Sequence, residues 1–84
     1  IPKAGVYFVK VILSKDTFYG MLNIGAKTNK IEVNIFDFSE NIYEKKIIVE
    51  FLSWIRNPKD FKDKLELKNQ LNKDEKKCRK FLLK

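Results

Sequence analysis

The sequence predicts a mainly β domain, an antiparallel meander or barrel closed off by one C-terminal α-helix. Two observations predict it. Four segments rich in β-branched and aromatic residues follow one another with only short polar stretches between them, leaving no room for a helical crossover, so sequential strands should pair antiparallel. After Asn57-Pro58 the periodicity changes: Leu67, Leu71, Cys78 and Leu82 recur at helical spacing and lysines fill the opposite face.

Each element has its own justification. Gly5 to Leu13 is almost wholly apolar, with Tyr7, Val9, Val11 and Leu13 on one side and Lys10 interrupting the other. Ser14-Lys15-Asp16 is a polar turn, and Thr17 to Ile24 returns as the partner of a hairpin, with Phe18, Leu22 and Ile24 on one side of Gly20. Gly20 and Gly25 mark places where the backbone bulges or leaves the sheet, and Ala26 to Lys30 is a water-exposed loop. Ile31 to Phe38 makes the third strand, Ser39-Glu40-Asn41 a turn, and Lys46 to Ile55 the fourth strand. The helix is expected over residues 63–83, opening on Asp63 with Glu66 three residues later in the manner of a capping box.

Eighty-four residues support one small domain, spanning residues 1–84, that buries only about 60% of its unfolded surface. There is no histidine and a single cysteine, Cys78, which removes disulfide frameworks, the usual zinc and haem sites and Ser/His/Asp catalysis, and points to the cytoplasm. No apolar run approaches the roughly 20 residues of a membrane span, so no membrane partner is expected. The net charge of +7 comes almost entirely from lysine: sixteen of the eighteen basic residues are lysine, and Lys, Asn and Ile together fill 32 positions. That bias fits an A/T-rich coding sequence and diffuse solvated faces better than a nucleic-acid surface, which favours clustered arginine forks.

The stretch from Gly20 to Phe38 holds the chain's best candidate for a working carboxylate. A glycine-marked turn sets Asn23 and Gly25 beside a strand in which Glu32 alternates with apolar neighbours. On the residues alone, Glu32 equally fits one polar tooth of a half-exposed strand, Asn23 a turn-forming amide, and Trp54 a core aromatic at a strand end.

Five motifs in order, Gly5-Val6-Tyr7, Gly20-Met21-Leu22-Asn23-Ile24-Gly25, Ile31 to Phe38, Ile42-Tyr43, and Val49 to Arg56 followed by Phe61, together with the helix pattern Leu67, Gln70, Leu71, Asp74, resemble the riboflavin kinase module. This module forms the C-terminal half of bacterial bifunctional riboflavin kinase/FAD synthetases. The resemblance implies a six-stranded, Greek-key-like barrel with a closing helix, of which this chain matches the C-terminal two-thirds and is therefore an incomplete barrel. It further implies transfer of the γ-phosphoryl of ATP, with Mg2+, to the 5′-hydroxyl of riboflavin to give FMN. Glu32 matches the family's catalytic base, and Val49, Leu52, Trp54 and Arg56 match its flavin contacts. Asn23 and Asn34 fall at nucleotide-side positions, Asn34 where the family has histidine. Glu44 stands where the family has glycine, and the loop Ala26 to Lys30 is short and lacks proline. The family's Pro-Thr-Ala-Asn-like run for nucleotide and magnesium has no counterpart in this sequence, so no metal ligand is assigned, the chain alone is expected to be inactive, and an upstream adenylyltransferase domain is the expected partner.

Two other functions stay open on the residues. One is a small nucleic-acid-binding barrel that uses lysines with Tyr7, Phe18 and Tyr19 as stacking platforms. The other is a non-catalytic homologue serving as an interaction module through an unpaired barrel edge.

Overall fold

The computed structural model describes residues 2–39 and 46–83. Four strands, β1 (Gly5–Leu13), β2 (Asp16–Ile24), β3 (Ile31–Ile35) and β4 (Ile47–Arg56), precede helix α1 (Lys64–Lys80) and a 3-10 turn at Phe81–Leu83. Residues Glu40 and Asn41 of the expected turn, and the Ile42, Tyr43 and Glu44 positions of the family pattern, lie outside the described residues.

The strands form one antiparallel sheet in the order β3-β2-β1-β4. Three hairpin-connected strands with the fourth returning beside the first is a Greek key, not a meander. Among the described residues β3 and β4 are the two outer strands and do not pair with each other, so the sheet is open, as expected of an incomplete barrel. β1 has neighbours on both sides and is the most buried strand, with Val9 and Val11 fully covered. Burying each such side chain is worth roughly 1.5–3 kcal/mol, which explains why the most apolar segment takes the central place.

The β1–β2 hairpin turns on two residues, Ser14 and Lys15, since Leu13 pairs with Asp16. Ser14 has φ 56°, the sign that tight hairpin turns require. Gly20 does not bulge: it keeps register with Val9 on one side and Ile35 on the other. Its lack of a side chain serves a close approach, because a Cβ there would collide with the Asn34 carbonyl oxygen of β3. Gly25, in contrast, is where β2 leaves the sheet, closing a compact loop through Gly25 N–H to Lys30 O at 3.0 Å.

The third strand ends at Ile35, earlier than the expected Phe38. Phe36 and Asp37 form a turn, with Asp37 at φ 58°, and Phe36 donates its N–H to Tyr19 O at 2.8 Å. Alternating apolar residues in this segment therefore serve two surfaces: Phe36 is buried under α1, and Phe38 packs edge-on against Phe18.

Each side of the sheet has its own core. Val6, Phe8, Met21, Phe36 and Ile55 pack with Cys78 of α1 on what is here termed the helix face. Tyr7, Val9, Val11, Leu22, Ile24 and Ile35 pack on the reverse face, joined by Val49 and Trp54. Asp63 caps the helix by accepting the Glu66 N–H at 2.9 Å, as its spacing predicts. The stripe that α1 turns inward is not wholly apolar. Asp74 is only 2% exposed, whereas Leu67 and Leu82, expected on the packed stripe, remain 39% and 40% exposed.

Candidate active site

The sheet register aligns three of the sequence-selected residues in one row. Glu32 pairs with Asn23, Asn23 with Val6, and Val6 with Arg56, so the row crosses all four strands. Directly paired residues of antiparallel strands point to the same side, and Val6 and Arg56 both meet α1, so the row lies on the helix face. Asn34 pairs with Met21 and occupies the next row of the same face. Glu32, Asn23 and Asn34 are all exposed, Glu32 and Asn34 on the outer strand β3 and Asn23 on β2.

Two members of this row, Asn23 and Arg56, line a cleft of about 400 Å³. Its walls come from three sources: Asn23 with the Gly25–Thr28 loop, Arg56 with the Pro58–Phe61 segment, and Leu67 and Leu71 of α1. The volume lies in the range of small-molecule sites. Phe61, Leu67, Leu71 and Pro58 supply apolar wall, and of the charged lining residues Lys27 and Lys59 outnumber Asp60, while Arg56 is paired with Asp74. Asn23 and Arg56 thus share a cavity, as two of the sequence-selected residues; Glu32 pairs with Asn23 on the neighbouring strand but does not line the cavity.

Arg56 is held rigidly. Its Nε donates to both carboxylate oxygens of Asp74, at 2.9 and 3.0 Å, and its Nη2 donates to Oδ2 at 2.9 Å. Nη1 donates to the Asn57 carbonyl at 3.0 Å. Gln70 donates to Asp74 Oδ1 at 3.0 Å and accepts from Lys59 Nζ at 3.4 Å. A buried carboxylate with a two-point guanidinium partner is the arrangement in which removing either member is most damaging.

The remaining flavin-side residues stand elsewhere. Trp54 pairs with Tyr7 on the reverse face, packs edge-on to it with ring centroids 5.2 Å apart, and lies under Lys3 Nζ at 4.1 Å. Val49 pairs with Val11 and belongs to the reverse-face core. Leu52 sits where the β1–β4 register shifts, between the pairs of Phe51 and Ser53, and is 46% exposed. The cleft therefore collects Arg56 but not Val49, Leu52 or Trp54.

Sequence reasoning did not select Lys27, Lys59, Phe61, Leu67 and Leu71 as cleft walls. Only Phe61 and the Leu67/Leu71 spacing carried a local signal; the lysines look like any of the other fourteen. Asp74 was readable in principle as an acid interrupting the apolar stripe Leu67, Leu71, Cys78. Burial, followed by the neighbouring Asp74 charge, pushes the Cys78 thiol up to about 11 from 9.0, which favours its protonated form at neutral pH.

The aromatics of the nucleic-acid reading are not an exposed platform. Tyr7 is buried between Phe51 and Trp54 and donates its hydroxyl to Lys3 O, Phe18 packs on Phe38, and Tyr19 stacks on Phe8. Among the described residues no helix is long and apolar enough to cross a membrane.

With this geometry in place, comparison with known proteins is decisive. The riboflavin kinase family model matches residues 1–82. The chain belongs to the riboflavin kinase family. It is 42% identical over 80 residues to a bifunctional riboflavin kinase/FMN adenylyltransferase from Haemophilus influenzae, covering 87% of this chain and 26% of that protein. The Bacillus subtilis protein of the same description is 35% identical over 83 residues, covering 88% of this chain and 26% of its own length. A solved structure of a macrolide-efflux protein from Streptococcus pneumoniae matches with a TM-score of 0.84 at 34% identity, over 94% of this chain and 28% of that one. The chain thus spans about a quarter of the length of the curated relatives it matches.

Proposed function

We propose that this chain supplies the catalytic base and flavin pocket of a riboflavin kinase that transfers the γ-phosphoryl of ATP to the riboflavin 5′-hydroxyl. The observation that carries the reading is the row Glu32–Asn23–Val6–Arg56, which joins a solvent-accessible carboxylate to a cleft with apolar and guanidinium walls. A flat tricyclic ring is suited to Phe61, Leu67 and Leu71 on one side and a fixed guanidinium plane on the other. The ribityl chain then runs along the helix face towards Glu32. Val49, Leu52 and Trp54 enter this reading as contacts along the edge of β4 that pairs with no strand among the described residues.

Glu32 orients the 5′-hydroxyl and accepts its proton as the bond from that oxygen to the γ-phosphorus forms. The bond from the γ-phosphorus to the bridging oxygen breaks, leaving ADP and FMN. General-base assistance of this kind is typically worth ~10²–10⁴-fold. Because the transition state is loose, placement of the two substrates supplies much of the rest. Asn23 and Asn34, flanking Glu32 on the same face, are proposed to donate amide hydrogen bonds to the nucleotide. Among the described residues no group of three or more His, Cys, Asp or Glu could hold a metal ion, so no Mg2+ ligand is assigned and no step is routed through the ion.

In the H. influenzae and B. subtilis relatives the kinase is joined to an FMN adenylyltransferase in one bifunctional protein. We propose the same company for this chain, with FMN passed to that second activity. The reading is tested on the whole protein that carries the chain, by following riboflavin fluorescence and FMN formation with ATP. Saturable quenching by riboflavin with ATP-dependent FMN formation is expected; neither signal with a folded protein refutes the reading.

A further inference from the structure

Asp74 is placed at a cost that stability alone does not explain. It interrupts an inward stripe whose other members are Leu71 and Cys78, its side chain is 3% exposed, and an apolar residue in such a place is commonly as stable as a buried ion pair. What the carboxylate does that a leucine could not is fix the orientation of Arg56. It accepts three hydrogen bonds from the guanidinium and a fourth from Gln70. With the Nη1 bond to Asn57 O, three of the five N–H groups of Arg56 are committed within the protein. Its charge is matched by a partner two-point bonded to it. Arg56 therefore meets the cleft as a fixed guanidinium whose charge is already matched, a group suited to a planar, uncharged aromatic ring rather than to a phosphate.

The same carboxylate also reaches the segment that follows Arg56. Gln70 joins Asp74 to Lys59, and Lys59 belongs to the Pro58–Phe61 segment that lines the cleft with Arg56. One buried acid of α1 therefore holds both parts of that wall against the helix.

We propose that Asp74 is a positioning residue for ring binding: acting through Arg56 and Gln70, it sets the guanidinium plane and the Lys59 segment at the spacing a flavin ring requires. This rests on the reading of the cleft as a flavin pocket. Asp74 touches no substrate; its effect is exerted on affinity.

The test measures riboflavin affinity by fluorescence quenching and steady-state kinetics on the whole protein, for Asp74→Asn, Arg56→Lys and the double variant, with folding checked by circular dichroism. Asp74→Asn keeps the shape and removes the charge; Arg56→Lys keeps the ion pair and removes the plane. Each is expected to weaken riboflavin binding by about tenfold or more, equivalent to about 1.4 kcal/mol, with the loss of kcat/KM falling on KM for riboflavin rather than on kcat. The double variant should bind no worse than the weaker single variant, because both changes break one arrangement. A folded Asp74→Asn protein with wild-type affinity overturns the proposal, as does a loss that falls on kcat alone. Should Asp74→Asn fail to fold, Arg56→Lys decides: wild-type affinity in that variant overturns the proposal. A wild-type protein that binds no riboflavin instead refutes the flavin reading itself, and the proposal falls with it.

Discussion

On the helix face, the row that crosses all four strands reads Glu32, Asn23, Val6 and Arg56; on the reverse face, the adjoining row reads Val33, Leu22, Tyr7 and Trp54. One row is polar at three of four places and ends in a buried ion pair, while the other is apolar and closes on two aromatic rings set edge to face. Adjacent rows of one sheet are thus divided between a cleft and a core. The difference teaches that period-two alternation in this chain does not separate inside from outside, since β1 is covered on both sides; it separates a packing surface from a surface on which ligand and helix meet.

That division is broken or sharpened by substitution. The largest effect is expected from Glu32→Gln, an exposed residue of an outer strand, which should reduce kcat by ~10²–10⁴-fold while the melting temperature and riboflavin affinity hold, as read by FMN formation and thermal denaturation. Retained turnover would remove Glu32 from the base role. On the reverse face, Trp54→Ala should act chiefly on stability, by about 3 kcal/mol in chemical denaturation, because the indole fills the space above Tyr7 and Gly5. On the proposed flavin edge it should also weaken riboflavin quenching; unchanged quenching assigns Trp54 to the core alone.

Gly20→Ala tests how the two faces are held in register. A methyl group there meets β3 backbone at Asn34 and Ile35, so a loss of about 1–3 kcal/mol is expected, together with reduced activity as the Glu32 strand is displaced. If stability falls but kcat does not, the site tolerates movement of β3. Cys78 gives a pH-dependent check on the helix face. Its folded pKa, about 11, lies above the 9.0 of the free group, so its contribution to stability is complete below pH 9 and disappears as pH rises through 11. Denaturation curves across this window should show a steeper alkaline loss for the wild type than for Cys78→Ala. The smallest effect is expected from Asp63→Ala, which removes the cap of α1 and should cost about 1 kcal/mol in chemical denaturation.

Much of this arrangement is legible without coordinates, and the reasons differ by residue. The strands at Gly5–Leu13 and Thr17–Ile24 are set by β-branched and aromatic runs around a two-residue turn, all local signals, and the observed pairing follows them to within one residue. Asp63 and Glu66 mark the helix start because capping involves only residues three apart. The early end of β3 is less legible: Phe36 and Phe38 continue the alternation, but each finds its burial outside the strand, one under α1 and one on Phe18. Asn23 and Glu32 could be selected one by one from the family pattern, yet their alignment depends on a register that neither segment encodes alone.

The sequence by itself determined four strands and a capped helix, because turn chemistry, alternation and capping act within a few residues of one another. It also determined the family, through an ordered set of short motifs spread along the chain. Only the tertiary structure decided that β4 returns beside β1 instead of β3, that Glu32, Asn23 and Arg56 share a row, and that Asp74 is buried against Arg56 eighteen residues before it in the chain. Each of these joins groups far apart along the chain, whose meeting is fixed by the packing of α1 and the common burial of β1 rather than by the propensity of any segment.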